Sequence, residues 1–246
     1  MIARNPSIVY TVGYHTFNTN REELLDTLQK LGVNVLLDVR SVPYSRKYYM
    51  YNKESLLVQS AKHNIDYIHV PELGAKVNPS WDVYSPAQEI WNSAGILPWK
   101  TSCAFPVPAC NRPERTALNA NDLIVDFEKL LKYPEYVQAM SHFDAHFIQR
   151  DVICMMCAEA EPAECHRYFM HSRKLKETYG PNVKIKHIGR DSDGDLAFAF
   201  QDDVNEALVR IIQNKLRIFN PNDFSHEGEV LSACYRLNNL LHGWKK

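Results

Sequence analysis

The feature that most narrows the fold is an alternation of short apolar runs with stretches of helical spacing. Ser7 to Val12 is a β-rich run ended by Gly13. Asn20 then stands where a helix cap belongs, ahead of Leu24, Leu25, Leu28 and Leu31 at helical spacing, with Gly32 as a stop. Asn34 to Val39 (NVLLDV) is a near-continuous apolar run, the pattern of a strand covered on both faces. A helix near Lys53 to His63 and a strand from Ile65 to Val70 follow. This β-α-β-α-β order predicts an α/β fold, a parallel-rich sheet with helices on both faces.

The alternation breaks between residues 71 and 120, which hold seven prolines, three tryptophans and two cysteines. A stretch so rich in ring residues and so poor in periodicity reads as an inserted excursion, with one short helix near Ala87 to Ala94. Helices are expected at Asp122 to Leu131 and Glu135 to Ile148. The strand pattern resumes at Val152 to Cys157. Pro162 suits the first turn of a helix running to Tyr179, which Gly180-Pro181 stops. Val183 to Ile188 is the next strand, Asp191 to Asp195 a turn, and Leu196 to Phe200 an edge strand. Helical patterns near Asp203 to Leu216 and Gly228 to Leu241 form a tail. The chain therefore reads as a single α/β domain over residues 1–246, with the excursion inserted at 71–120 and a helical tail, 201–246, packed on it.

A chain of 246 residues, 45% of them hydrophobic, can bury a core without staples. The start has no signal-peptide pattern and no apolar run approaches about 18 residues, so a cytoplasmic protein without membrane contact is expected. Its six cysteines then read as reduced thiols. The net charge of −1 supplies no global field for nucleic acid, so any such binding must rest on a local patch. Neither standard glycine-rich phosphate loop occurs.

In parallel sheets, ligands bind outside the C-terminal ends of the strands, and four of the five ends here carry titratable groups. The second strand ends in Asp38-Val39-Arg40, continuing to Ser45-Arg46. Asp38 and Arg40, two apart, share a face and form either an orienting ion pair or a ligand clamp. Arg40 and Arg46 match an anionic group, since guanidinium forks fit phosphate and carboxylate. Tyr44 to Lys53 interleaves tyrosines with cations, as a nucleotide or single-stranded nucleic acid would require. The third strand ends with His69, and the fourth with Cys157-Ala158-Glu159, followed by Cys165-His166-Arg167.

With Pro162 at a helix start, Cys165 falls in the first turn, where free N–H groups lower a thiol pKa or bind an anion. Cys154, Cys157, Cys165 and His166 also offer four soft metal ligands. Strand alternation points Cys154 the opposite way from Cys157, into the core, so neither a metal nor a cofactor is expected. Asp191-Ser-Asp-Gly-Asp195 opens like a calcium loop, but its glycine comes too early and the closing glutamate is missing.

Several blocks together resemble a known family. They are Thr11-Val-Gly-Tyr14, Leu37-Asp-Val-Arg-Ser-Val-Pro43 with Tyr44-Ser45-Arg46, Asn52-Lys53, Tyr67 to Gly74, and Cys157-Ala-Glu159 with Cys165-His-Arg167. In order and spacing, over about residues 7–188, they are similar to the bacterial and archaeal domain-of-unknown-function family four-eight-eight (DUF488). The resemblance implies an α/β fold and a shared site, without an assigned activity. Tyr14 stands where a common form of the family has histidine, and Ala75 where a second glycine often follows. The excursion and tail exceed the family core, which suits a substrate or partner of this member's own.

The expected function is an enzyme of hydrolase or transferase type acting on an anionic, nucleotide-like or nucleic-acid-derived substrate. Asp38, Glu159, Cys165, His166 and His69 are the catalytic candidates. Tyr14, Arg40, Ser45, Arg46, Asn52, Cys157 and Arg167 are the substrate-binding candidates. The alternative is a non-catalytic module that binds a nucleotide or nucleic acid. A thiol- or sulfur-transfer enzyme ranks third: the Leu-Asp-Val-Arg strand is similar to rhodanese-like domains, but a cysteine inside a helix turn does not suit that chemistry.

Overall fold

The computed structural model describes residues 6–94, 119–149, 151–216 and 227–242. The chain divides into two compact units, Met1–Lys76 with Pro134–Val204, and Val77–Tyr133 with Asn205–Lys246.

The first unit is built on a six-stranded sheet. Its strands are β1 (Ser7–Gly13), β2 (Val35–Asp38), β3 (Asp66–His69), β6 (Ile153–Cys157), β7 (Val183–Arg190) and β8 (Leu196–Phe200), in the order β3-β2-β6-β1-β7-β8. Every neighbouring pair is parallel except β7 with β8. Helix α1 (Arg21–Lys30) joins β1 to β2, and α2 (Lys53–Lys62) joins β2 to β3. The chain thus steps toward one edge, then returns through β6 to the middle and steps toward the other by way of α6 (Arg173–Tyr179). Right-handed crossovers in opposite directions set helices on both faces, the α/β architecture read from the alternation. The reversal lies between β6 and β1, the switch point where such sheets bind ligands.

Helix α1 forms where its leucines repeat. Asn20 caps it, its side chain accepting from the Glu23 N–H at 3.1 Å, worth roughly 1 kcal/mol. Leu24, Leu25 and Leu28 are fully buried in one cluster with Val12 of β1, Leu36 of β2 and Met156 of β6. Each such side chain contributes about 1.5–3 kcal/mol of burial.

Two expected helices differ. The segment Asp122 to Leu131 begins as strand β5 (Leu123–Val125), antiparallel to β4 (Tyr84–Pro86). Only then does Asp126 cap the short α4 (Phe127–Leu130), accepting from the Glu128 N–H. The apolar Leu-Ile-Val triplet finds a strand partner, and pairing overrides the helical pattern. The Pro162 to Tyr179 segment is also broken. Pro162–Glu164 is a 3₁₀ turn, Cys165 is extended (φ −124°, ψ 139°), and a π-helical segment, Arg167–Ser172, precedes α6. Cys165 therefore lies before the helix and not in its first turn. Wide turns of this kind recur at functional sites.

The second unit holds β4, β5, α3 (Ala87–Ser93), α4 and α8 (Glu227–His242); α7 (Gln201–Leu216) starts in the first unit and continues into the second. Buried Asn239 on α8 accepts from the Phe127 N–H and donates to the Val125 carbonyl, fixing the strand-to-helix corner. Helix α5 (Pro134–Gln149) belongs to the first unit. Among the described residues no helix is long and apolar enough to cross a membrane.

Candidate functional site

The C-terminal ends of β1, β2 and β6 are tied by close backbone approach. A Cβ on Gly13 would lie 1.6 Å from the Glu159 carbonyl oxygen, so only glycine lets the loop after β6 sit there. The His15 N–H donates to the Ala158 carbonyl at 3.1 Å. Arg167, fully buried, donates to the Glu159 and Ala160 carbonyls at 2.6 and 2.9 Å and so holds the same loop.

Two groups of side chains meet at these ends. The first centres on Asp38, fully buried. Its Oδ1 accepts from the Arg40 backbone N–H and Nε, and its Oδ2 accepts from Arg40 Nη2 and the Tyr67 hydroxyl, each at 2.6 Å. Arg40 also donates to the Tyr51 carbonyl and lies over the Tyr14 ring, 5.2 Å from its centroid. Burial works against the Arg40 charge, but Asp38 outweighs it and raises the pKa. Burial, then the Asp38 charge, holds the Tyr67 phenol well above its ordinary range. Tyr14 stacks on Tyr51, and Arg40 and Ser45 both influence its hydroxyl.

The second group is Cys157, Glu159, Cys165 and His166, whose ligand-type atoms all lie within 4.8 Å of one another. The Cys157 thiol donates to Glu159 Oε2 at 3.0 Å, and Cys165 Sγ is 3.4 Å from the same oxygen. His166 Nδ1 stands 3.7 Å from Cys157 Sγ and 3.6 Å from Cys165 Sγ. Its Nε2 donates to the Val39 carbonyl at 3.0 Å, so the two groups adjoin through β2. Burial opposes a charge on Cys165, but the Cys157 hydrogen bond, Arg167 and His166 outweigh it, and its thiol pKa falls. Burial and the Cys165 and Glu159 charges push Cys157 the other way. His166 is raised: burial works against its charge, and Cys165 and Glu159 favour it.

Most sequence-derived candidates fall into these groups. Of the remainder, His69 bonds to the first group's backbone, Ser45 and Asn52 bond within residues 45–52, and Arg46 bonds to neither group among the described residues. His69 Nε2 hydrogen-bonds the Arg40 carbonyl; Asn52 accepts from the Ser45 N–H; Ser45 Oγ accepts from the Tyr48 N–H; and Arg46 is exposed. Cys154 lies in the core cluster, as strand alternation predicts, and it is Glu159 that joins the two remaining cysteines and His166. Cys165 is perturbed by its side-chain neighbours and not by a helix terminus, and it no longer sits inside a helix turn. Tyr67, Tyr51 and Gly13 fall within segments read from the sequence but were not among its site candidates. Tyr67 had a signal: it lies two residues before His69, which is opposite Asp38 in the parallel register.

No curated protein and no solved structure matches the chain. Residues 20–92, which carry α1 to α3 with the Asp38–Arg40 pair and the Tyr44 to Lys53 segment, match the family described as Domain of unknown function DUF488, the family that the motifs resemble.

Proposed function

We propose that the chain is an enzyme acting on an anionic, nucleotide-like substrate at the C-terminal ends of β1, β2 and β6. One observation carries this reading. Asp38 and the Tyr51 carbonyl fix Arg40, yet its Nη1 is buried and makes no well-aligned hydrogen bond among the described residues. Leaving such a donor without an acceptor costs about 1–3 kcal/mol. A phosphate or carboxylate oxygen of a ligand is an acceptor of the right charge.

The 44–53 segment supports the nucleotide-like part. Tyr51 is fully buried, but Tyr44 and Tyr49 are 60% and 68% exposed, with Arg46 and Lys47 exposed between them. Exposed rings for stacking and cations for phosphate suit a base and its anionic tail. Arg40 and Arg46 would hold the anion, Tyr44 and Tyr49 the base, and Glu159 would carry the proton. Hydrolysis or group transfer is the reaction class that such a set serves.

Calorimetric titration with ATP, UMP and a short oligothymidylate tests this, with chromatography for products. Tyr49→Ala and Arg46→Ala should each weaken binding about tenfold or more, about 1.4 kcal/mol, without changing the melting temperature. Binding without product after long incubation would make the chain a binding module. Failure to bind any of the three probes would sink the reading.

A further inference from the structure

We infer that Cys157, Cys165 and His166 are ligands of one zinc ion, with Glu159 at its fourth position. The inference goes beyond the substrate proposed above and does not depend on it. It replaces the expectation of no metal, which rested on counting Cys154 among the ligands.

The first support is geometric. Zinc bonded at about 2.3 Å to sulfur and about 2.0–2.1 Å to nitrogen in a tetrahedron sets its ligand atoms roughly 3.5–3.8 Å apart. His166 Nδ1 stands 3.7 and 3.6 Å from the two sulfurs. Glu159 Oε2 lies 3.0 and 3.4 Å from the same sulfurs, shorter than that range, and all four atoms fall within 4.8 Å of one another.

The second support is the orientation of the imidazole. A metal-bound histidine normally gives its other N–H to a carbonyl or carboxylate, which fixes the tautomer. His166 Nε2 donates to the Val39 carbonyl at 3.0 Å, leaving the Nδ1 lone pair directed at the thiols.

The third is charge. Arg167 is fully buried, and its two hydrogen-bonded nitrogens face neutral carbonyls. Among the described residues it makes no ion pair, and a buried charge needs compensation. Two thiolates, a carboxylate and a divalent ion sum to −1, which the guanidinium balances.

The donor set selects the ion. Two sulfurs and an imidazole suit zinc and exclude magnesium and calcium, which take oxygen. The cysteines and His166 are buried, whereas Glu159 is half-buried and is the member that water can replace. Three N/S ligands with an exchangeable fourth position is the arrangement of catalytic zinc, which lowers the pKa of a bound water. Glu159 would then be placed to take that water's proton.

The full chain, reduced and stripped with chelator, should bind one equivalent of zinc. It should also bind one of cobalt(II) with thiolate-to-cobalt charge-transfer absorption in the near ultraviolet. Cys165→Ser and Cys157→Ser should each lower zinc affinity beyond the roughly 10–100-fold that loss of an outer-shell partner brings. Cys154→Ala, outside the quartet, should not. Should the serine variants not fold, alkylation of the wild type decides: zinc should protect Cys157 and Cys165 until chelator is added. Less than a tenth of an equivalent bound, no charge-transfer band, or equal alkylation with and without zinc would each overturn the inference. The nucleotide titrations would be untouched by that outcome.

Discussion

At the scale of single residues, Asp38 and the arginines settle into roles that charge alone does not reveal. Asp38 accepts four hydrogen bonds, three from Arg40 and one from Tyr67, so both oxygens are committed. A carboxylate so occupied orients its partners and has no lone pair to spare for a substrate proton. Arg167 likewise serves the loop after β6, and of the three arginines read from the sequence as an anion grip only Arg46 is exposed. Removing one partner of a buried pair leaves an uncompensated charge, which costs about 3–5 kcal/mol. Asp38→Asn should therefore lower the urea-unfolding free energy by about that much. Tyr67→Phe, which removes one bond to a charged acceptor, should cost only about 1.5–3 kcal/mol. Equal effects from the two variants would mean that Asp38 is not the hub of this group.

At the scale of elements, the site depends on how closely the end of β1 meets the loop after β6. Gly13 has an ordinary extended backbone (φ −103°, ψ 126°), so its glycine is required by space and not by conformation. In Gly13→Ala the new methyl must displace the Glu159 carbonyl, and with it the Glu159 side chain. Overpacking of this kind costs about 1–3 kcal/mol, and zinc or nucleotide binding should fall more steeply than stability does. A variant that binds as the wild type does would show that the loop moves freely. Strands β1, β2, β6 and β8 were legible as short, mainly apolar runs, β3 and β7 as β-rich stretches bounded by apolar residues and turn signals, and α1 because its cap and leucine spacing agree. The β4–β5 pair was not, because its register depends on residues about 40 positions apart. The break before α6 was missed for a similar reason: Pro162 marks a turn start equally well for a 3₁₀ turn and for a helix. Strand ends gave both halves of the site as separate lists. The Nε2 bond from His166 to the Val39 carbonyl, which joins them, has no counterpart in local sequence.

At the scale of the whole molecule, stability should depend on pH through buried histidine. His187 on β7 lies between the Thr11 hydroxyl at 2.7 Å and Gln201 Oε1 at 2.8 Å, partners that satisfy the neutral ring. Burial first, then Arg167, pushes its pKa down to about 3, with the Gln201 bond opposing. The unfolded value is about 6.5, so the folded pKa is the lower one. Its contribution is therefore complete above about pH 6.5 and is lost as the pH falls toward 3. His171, also fully buried and lowered, acts in the same direction and will leave a residual slope in any single variant. Urea-unfolding free energies measured between pH 7 and pH 4 should decline in the wild type. His187→Gln should start lower at pH 7, having lost a fitted ring, and decline less steeply. Between pH 6 and pH 4 the difference in slope should approach about 1.4 kcal/mol per pH unit, the value for one proton. Parallel declines would mean that acid acts elsewhere and that His187 takes up its proton without opening the core.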